Sequence, residues 1–118
     1  MNSGAEPRLE ILLVEDNEDH AHFIQRSLDN GKYTITRLKD GKDAYNYLID
    51  PPIPPQVVLL DYYLPSMDGM EILRKTSNAG KDYAFIFLTL DNSVYTAVEA
   101  MKAGAMDFLP KTAQFYDG

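Results

Sequence analysis

Short apolar runs alternate with stretches of helical spacing along this chain. The runs rich in β-forming residues cover residues 9–14, 33–38, 56–60, 84–88 and 106–109. After the first run, Ala21, Ile24 and Leu28 recur at intervals of three and four, which predicts a helix over residues 18–29. The same spacing predicts three later helices, at Ala44 and Leu48, at Met70 and Leu73, and at Val94, Ala97 and Met101. The last helix is expected to end at Gly104, a C-terminal cap.

Three of the runs are almost entirely apolar: ILLV, VVLL and FIFL. A strand that is apolar on both sides is usually buried on both faces, as in a parallel sheet covered by helices. Strict alternation of strand and helix is typical of the same architecture. The sequence therefore predicts an α/β fold, a doubly wound five-stranded parallel sheet. Residues 1–8 are predicted to be a disordered lead-in, and residues 9–118 to be one domain.

The end of the chain is short for this fold. Right-handed crossovers place the helix after the first strand on one face of the sheet and the next three helices on the other. The first face then needs a second helix after the fifth strand, and TAQFYDG is too short to supply it. We therefore expect the last helix to be truncated or missing, with an apolar patch on the order of several hundred Å² left uncovered. We also expect the 118 residues to be a piece of a longer protein.

Composition narrows the classes of function. The formal charge is −7, which disfavours direct contact with nucleic acid or an anionic membrane and suits binding of a cation or a basic partner. The chain contains no cysteine, so it has no disulfide, thiol nucleophile or cysteine-bound metal. No apolar run approaches the roughly 18 residues of a membrane-spanning helix. A cytoplasmic location is expected.

Polar residues with complementary chemistry follow the predicted strands. In an open α/β sheet, ligands bind beyond the carboxyl ends of the strands. The residues delivered there are Glu15, Asp16, Asp61, Thr89 and Lys111. Singly, each has an ordinary structural explanation, such as a solvated loop, a turn hydroxyl or a surface lysine. Their joint placement favours a site, because three carboxylates attract a hard divalent cation such as Mg²⁺, while the hydroxyl and the ammonium remain to bind an anion. Such a site suits phosphoryl transfer onto an aspartate.

Two histidines lie near the start of the first predicted helix, on either side of Ala21. His20 and His22 lie two residues apart, so they point in different directions and cannot bind one metal ion together. We expect both to face solvent or to lie at the rim of the site.

Four stretches resemble the receiver domains of bacterial-type response regulators: ILLVEDNED, VVLLDYYLPSMDGMEIL, FIFLTLDNS and AMKAGAMDFLPK. They are spread over residues 11–111, and the D-x-x-L-P-x-M-D-G stretch with correctly spaced threonine and lysine is the most specific part. The resemblance implies that residues 9–118 form a receiver domain with a flavodoxin-like fold and strand order 2-1-3-4-5. One departure is Leu90, which follows Thr89 where the family usually has a small residue.

The resemblance also implies a role for each site residue. Asp61 resembles the phospho-acceptor, and Asp16, Asp61 and the backbone carbonyl of Tyr63 resemble ligands of Mg²⁺, for which Mn²⁺ is an alternative ion. Glu15 resembles the remaining residue of the acidic pocket, which acts through water. Lys111 resembles the lysine that pairs with the aspartate and then with the phosphoryl oxygen. Thr89 and Phe108 resemble the switch pair that reshapes the face formed by the fourth helix and the fifth strand.

The implied partner is a sensor histidine kinase or a histidine phosphotransfer protein, with an effector domain in a longer chain. The domain would phosphorylate and dephosphorylate itself at Asp61, without turning over an external substrate. The fourth helix and fifth strand, or the uncovered sheet face, are candidate surfaces for a dimer. The alternative is a pseudo-receiver, a protein-binding module that keeps the fold and works without phosphorylation. Pseudo-receivers typically lose the acceptor, an acidic residue or the lysine, and all of these are present here.

Overall fold

The computed structural model describes residues 7–90 and 93–111. Strands and helices alternate within them: β1 Leu9–Val14, α1 Glu18–Ser27, β2 Tyr33–Leu38, α2 Gly41–Ile49, β3 Val57–Asp61, α3 Gly69–Asn78, β4 Ala84–Thr89, α4 Val94–Lys102 and β5 Asp107–Pro110. All neighbouring strands are parallel, and their order is β2-β1-β3-β4-β5. The predicted fold class and strand order are confirmed. Most of the predicted lead-in, residues 1–6, lies outside the described residues.

The sequence-based bounds are nearly right. β3 and β4 each extend one residue further than predicted, so that Asp61 and Thr89 are their last residues. α1 is shorter than predicted and ends at Ser27. α4 ends as expected, because Gly104 adopts a φ of 108° just after the helix, a conformation that suits glycine.

The helices divide between the two faces of the sheet. α2, α3 and α4 pack on one face through a large apolar cluster that includes Leu48, Ile72 and Phe87. α1 packs on the other face through a smaller cluster built on Leu13, Ala21 and Ile24. This division is the one expected from right-handed crossovers.

Burial of the strands is less symmetrical than their composition suggests. β1 is buried from Ile11 to Val14, as predicted for a central strand. β3 and β4 instead alternate between buried and half-buried residues, and Leu59 and Leu88 on the α1 side are only half-buried. Within residues 7–90 and 93–111, α1 is the one helix on that face, and no fifth helix follows β5. Residues 112–118, on which the expectation of a truncated last helix rests, lie outside the described residues.

Each helix begins at a side chain that caps it. Asn17, Asp40, Asp68 and Ser93 accept hydrogen bonds from backbone N–H groups in the first turns of α1, α2, α3 and α4. These caps fix where the helices start, and therefore where the loops beyond β1, β3 and β4 end. No helix in the described parts of the chain is long and apolar enough to cross a membrane.

Candidate functional site

An acidic cluster lies at the carboxyl ends of β1 and β3. Oxygen atoms of Glu15, Asp16 and Asp61 all lie within 4.8 Å of one another. Glu15 is buried, Asp61 is half-buried and Asp16 is exposed, so the cluster opens to solvent on the Asp16 side. The structure thus brings together the three carboxylates that the sequence predicted at this edge.

Lys111 inserts its ammonium group into this cluster. Its Nζ atom donates to Oε1 of Glu15 at 2.6 Å and to Oδ2 of Asp61 at 2.8 Å. The side chain is fully buried, which by itself lowers the pKa of Lys111, but the hydrogen bonds to the Asp61 and Glu15 carboxylates outweigh burial and raise the pKa above its ordinary value. Lys111 is therefore charged, and it is a single ammonium group beside a cluster of three carboxyl groups.

The backbone just after β1 is held from the neighbouring strand. Arg37 on β2 donates from Nε and Nη2 to the carbonyl oxygen of Glu15, at 3.1 and 2.7 Å. Its Nη1 atom also bonds Glu18 in the first turn of α1. This planar two-donor contact fixes the turn that carries Glu15 and Asp16. Sequence reasoning did not identify Arg37, since its reach depends on the register in which Leu13 pairs with Arg37.

The loop after Asp61 is held by the start of α2. The hydroxyl of Ser66, a residue with a φ of 65°, donates to Asp40 at 2.8 Å and accepts from the amide of Lys42 at 3.0 Å. Gly41 lies so close to this loop that a Cβ atom there would be 1.7 Å from the carbonyl oxygen of Met67. The loop therefore has little freedom next to the acidic cluster.

Tyr63 lies at the start of this loop. Its amide donates to Oδ1 of Asp61 at 3.1 Å, so its backbone lies against the predicted acceptor, while its side chain is exposed. That the carbonyl oxygen of Tyr63 binds a metal ion remains a prediction.

The predicted switch residues lie on β4 and β5. Thr89 is fully buried at the end of β4, where its neighbour Leu88 pairs with Asp61, and its carbonyl accepts from the amide of Lys111 at 2.7 Å. Phe108 is half-buried, with its ring centroid 6.4 Å from that of Phe87. It also lines an open groove of about 610 Å³ between α4 and β5.

The two histidines differ in position. His22 is exposed, as expected. His20 is buried, with 8% of its surface accessible, and its Nδ1 atom lies 2.9 Å from Nζ of Lys111. The prediction for His20 was wrong, because this residue lies one turn before Ile24 on the face of α1 that packs on the sheet. The four-residue spacing from Ile24 was the signal that could have found it.

The family model for the response regulator receiver domain matches residues 11–117 of this sequence. The chain belongs to this family. The receiver domain is 34% identical over 101 residues to the response regulator MprA of Mycolicibacterium vanbaalenii, a match that covers 86% of this chain and 43% of that protein. The chain thus spans less than half the length of this curated relative. It is a receiver domain of a two-component response regulator.

Solved structures show the same fold. The signal receiver domain of a putative Luxo repressor protein from Vibrio parahaemolyticus has a TM-score of 0.83 at 30% identity, covering 92% of this receiver domain and 82% of that chain. The Mn²⁺-bound form of response regulator Rcp1 has a TM-score of 0.83 at 24% identity, covering 94% and 88% of the respective chains. At that identity, the second likeness shows a shared fold.

Proposed function

We propose that this receiver domain accepts a phosphoryl group on Asp61 in a reaction that needs Mg²⁺. The position of Asp61 is the main support for this proposal. Its carboxylate is half-buried at a strand end, bonded to Lys111 through one oxygen and to the amide of Tyr63 through the other. A carboxylate held in one orientation beside an ammonium group is suited to attack phosphorus.

The residues present fit a divalent metal ion. Three carboxylates whose oxygens lie within 4.8 Å match the hard oxygen ligands that Mg²⁺ prefers, and their charge is only partly balanced by Lys111. Asp16, Asp61 and the carbonyl of Tyr63 would hold the ion directly, with Glu15 acting through water. When bound, Mg²⁺ would neutralise charge on the phosphoryl oxygens. Mn²⁺ is the alternative ion, and the Rcp1 neighbour was solved with Mn²⁺ bound.

The residues of the chain supply orientation and charge. An oxygen of Asp61 forms a bond to phosphorus as the bond from phosphorus to the donor breaks, and the electron pair of that bond leaves with the donor. For a phosphohistidine donor the leaving group is an imidazole nitrogen, and for acetyl phosphate it is acetate. Lys111 then moves its hydrogen bond from Asp61 to a phosphoryl oxygen, and the Thr89 hydroxyl donates to another.

The proposed response to phosphorylation is a change at the face formed by α4 and β5. Thr89 ends β4, and Phe108 on β5 lines the apolar groove beside α4. A threonine drawn toward the phosphoryl group would leave room for Phe108 to turn inward and alter that groove. We infer that a sensor histidine kinase or a histidine phosphotransfer protein is the donor in the cytoplasm, and that an effector domain in a longer chain reads the altered face.

The test is an intact-mass measurement after incubation with acetyl phosphate. Wild-type protein is expected to gain one phosphoryl group in Mg²⁺ and none in EDTA, and Asp61→Asn to gain none in either, because an amide is not a nucleophile. Asp16→Asn should need a higher Mg²⁺ concentration. Asp19→Asn is the matched control, since Asp19 is exposed nearby on α1 and lies outside the acidic cluster. A fully folded wild type that stays unmodified in Mg²⁺ would instead support the pseudo-receiver function.

A further inference from the structure

We propose that His20 is a positioning residue, which holds the Lys111 ammonium in place for phosphoryl transfer by accepting a hydrogen bond at Nδ1. The inference rests on the proposed function and adds a residue to it. His20 Nδ1 and Lys111 Nζ are 2.9 Å apart, and both side chains are buried.

The direction of this hydrogen bond follows from the chemistry of the two groups. A lysine ammonium has three N–H donors and no acceptor. Nδ1 of His20 must therefore accept, which places the ring proton on Nε2 and leaves the imidazole neutral. Lys111 Nζ thus bonds three acceptors, which come from α1, from the turn after β1 and from the end of β3.

His20 differs from the other two acceptors because it has no second role in binding the cation or in attacking phosphorus. The carboxylates of Glu15 and Asp61 belong to the acidic cluster, and their oxygens are also the ones suited to a hard cation. Asp61 in addition becomes the attacking group. Lys111 therefore loses or shares these two contacts when a divalent cation and a phosphoryl group occupy the site. A neutral imidazole competes for neither the cation nor the phosphoryl group. The contact with His20 persists, and it keeps Nζ aimed at the reacting oxygen.

The position of His20 is itself well fixed. Its backbone N–H donates to the side chain of Asn17 at 3.0 Å, in the cap of α1. The backbone N–H of Asn17 in turn donates to Oε2 of Glu15 at 3.2 Å, which ties the cap to the same cluster. One turn later Ile24 is buried against the sheet. The imidazole is thus presented from a capped helix end, which suits an orienting role.

Two substitutions separate positioning from packing. His20→Asn keeps an acceptor, because the amide oxygen of asparagine lies close to where Nδ1 lies, although the side chain is smaller. His20→Leu keeps most of the buried volume and removes the acceptor. If His20 only fills space, the leucine variant is expected to be phosphorylated faster than the asparagine variant. If His20 positions Lys111, the asparagine variant is expected to be phosphorylated faster.

The measurement is the rate constant of phosphorylation by acetyl phosphate at saturating Mg²⁺, together with the Mg²⁺ affinity and the free energy of unfolding of each variant. We expect His20→Leu to be slower by on the order of tenfold, the effect of one hydrogen bond to a charged group. We expect its Mg²⁺ affinity to stay unchanged, and His20→Asn to remain close to wild type. His22→Leu is the control, because His22 is exposed two residues away.

The failures are distinguishable. If wild type and His22→Leu are not phosphorylated, the proposed function fails and the role of His20 falls with it. If both are phosphorylated and His20→Leu is as fast as wild type, or faster than His20→Asn, the positioning role is overturned while the proposed function stands. Should His20→Leu not fold, His20→Gln takes its place, because its longer amide carries the oxygen to where Nε2 lies. A rate equal to wild type in that variant also overturns the proposal.

Discussion

The Nζ atom of Lys111 lies 2.8 Å from Oδ2 of Asp61, a residue fifty positions earlier in the sequence. This contact joins the loop after β5 to the end of β3, across the intervening strand β4. Because Glu15 also bonds the same ammonium, the lysine neutralises part of a buried acidic cluster. Its removal should therefore affect folding as well as chemistry.

We expect Lys111→Met to lower the free energy of unfolding in EDTA by about 3 kcal/mol, the usual effect of leaving a buried charge unpaired. Saturating Mg²⁺ should restore part of this loss, since a cation can balance the same carboxylates. Urea unfolding in EDTA and in Mg²⁺ measures both effects. Lys75→Met is the control, because Lys75 forms an exposed pair with Glu71 that contributes at most about 0.5 kcal/mol. Equal losses for the two variants would contradict this account of the cluster.

Gly41 determines how closely α2 approaches the loop after Asp61. A Cβ atom at this position would lie 1.7 Å from the carbonyl oxygen of Met67, so Gly41→Ala forces the helix and the loop apart. We expect a loss of about 1–3 kcal/mol in the free energy of unfolding, as for other overpacked sites. Lys42→Ala, at the exposed next position, should cause little change. Similar stabilities for both variants would show that the contact is readily relieved.

Asp40 should make a pH-dependent contribution to stability. The hydrogen bond from the amide of Asp43, followed by that from the Ser66 hydroxyl, lowers the pKa of Asp40 below its ordinary value of 3.8. A carboxylate with a lowered pKa in the folded protein stabilises it above the unfolded pKa, and this contribution is lost as the pH falls through the folded pKa. The difference in unfolding free energy between wild type and Asp40→Asn should therefore shrink as the pH falls below about 3.8. A difference independent of pH in urea titrations would contradict this assignment.

Leu90 is expected to restrict access to the acceptor. It directly follows the buried Thr89 at the edge of the sheet where Asp61 lies, and 58% of its surface is exposed. We expect Leu90→Ala to be phosphorylated faster by acetyl phosphate, and its phosphoaspartate to hydrolyse faster. Met106→Ala, an exposed truncation at the opposite edge of the sheet, should leave both rates unchanged. Rates in Leu90→Ala equal to those of wild type would dispose of this role.

The sequence was sufficient to predict that Glu15, Asp16, Asp61 and Lys111 lie together at one edge of the sheet. Parallel strands bring their carboxyl ends to one edge, so placing Val14 and Leu60 near strand ends was enough to bring Glu15 and Asp61 together. The order of the strands could not be predicted from the pattern alone, because alternation of strands and helices is compatible with several orders. That order was implied by the family resemblance, and the structure confirms it.

The contacts that support the site could not be predicted in the same way. Arg37 reaches the carbonyl of Glu15 only because β1 and β2 pair in one particular register, and the composition of a single strand carries no register. His20 was expected to face solvent or to lie at the rim of the site, because histidine is usually at least partly exposed. It is instead buried, with its ring within hydrogen-bond distance of a charged lysine that can donate to it. Both misses concern polar side chains whose partners lie on other elements.

Chemical trapping locates the residue that carries the phosphoryl group. After reaction with acetyl phosphate and Mg²⁺, borohydride reduces an aspartyl phosphate to homoserine, and tandem mass spectrometry of the digested protein identifies the position. We expect homoserine at position 61 in phosphorylated wild type and not in protein kept without the donor. Homoserine at position 16, or a phosphoryl group that resists borohydride because it is held on His20 or His22, would contradict the assignment of Asp61 as the acceptor.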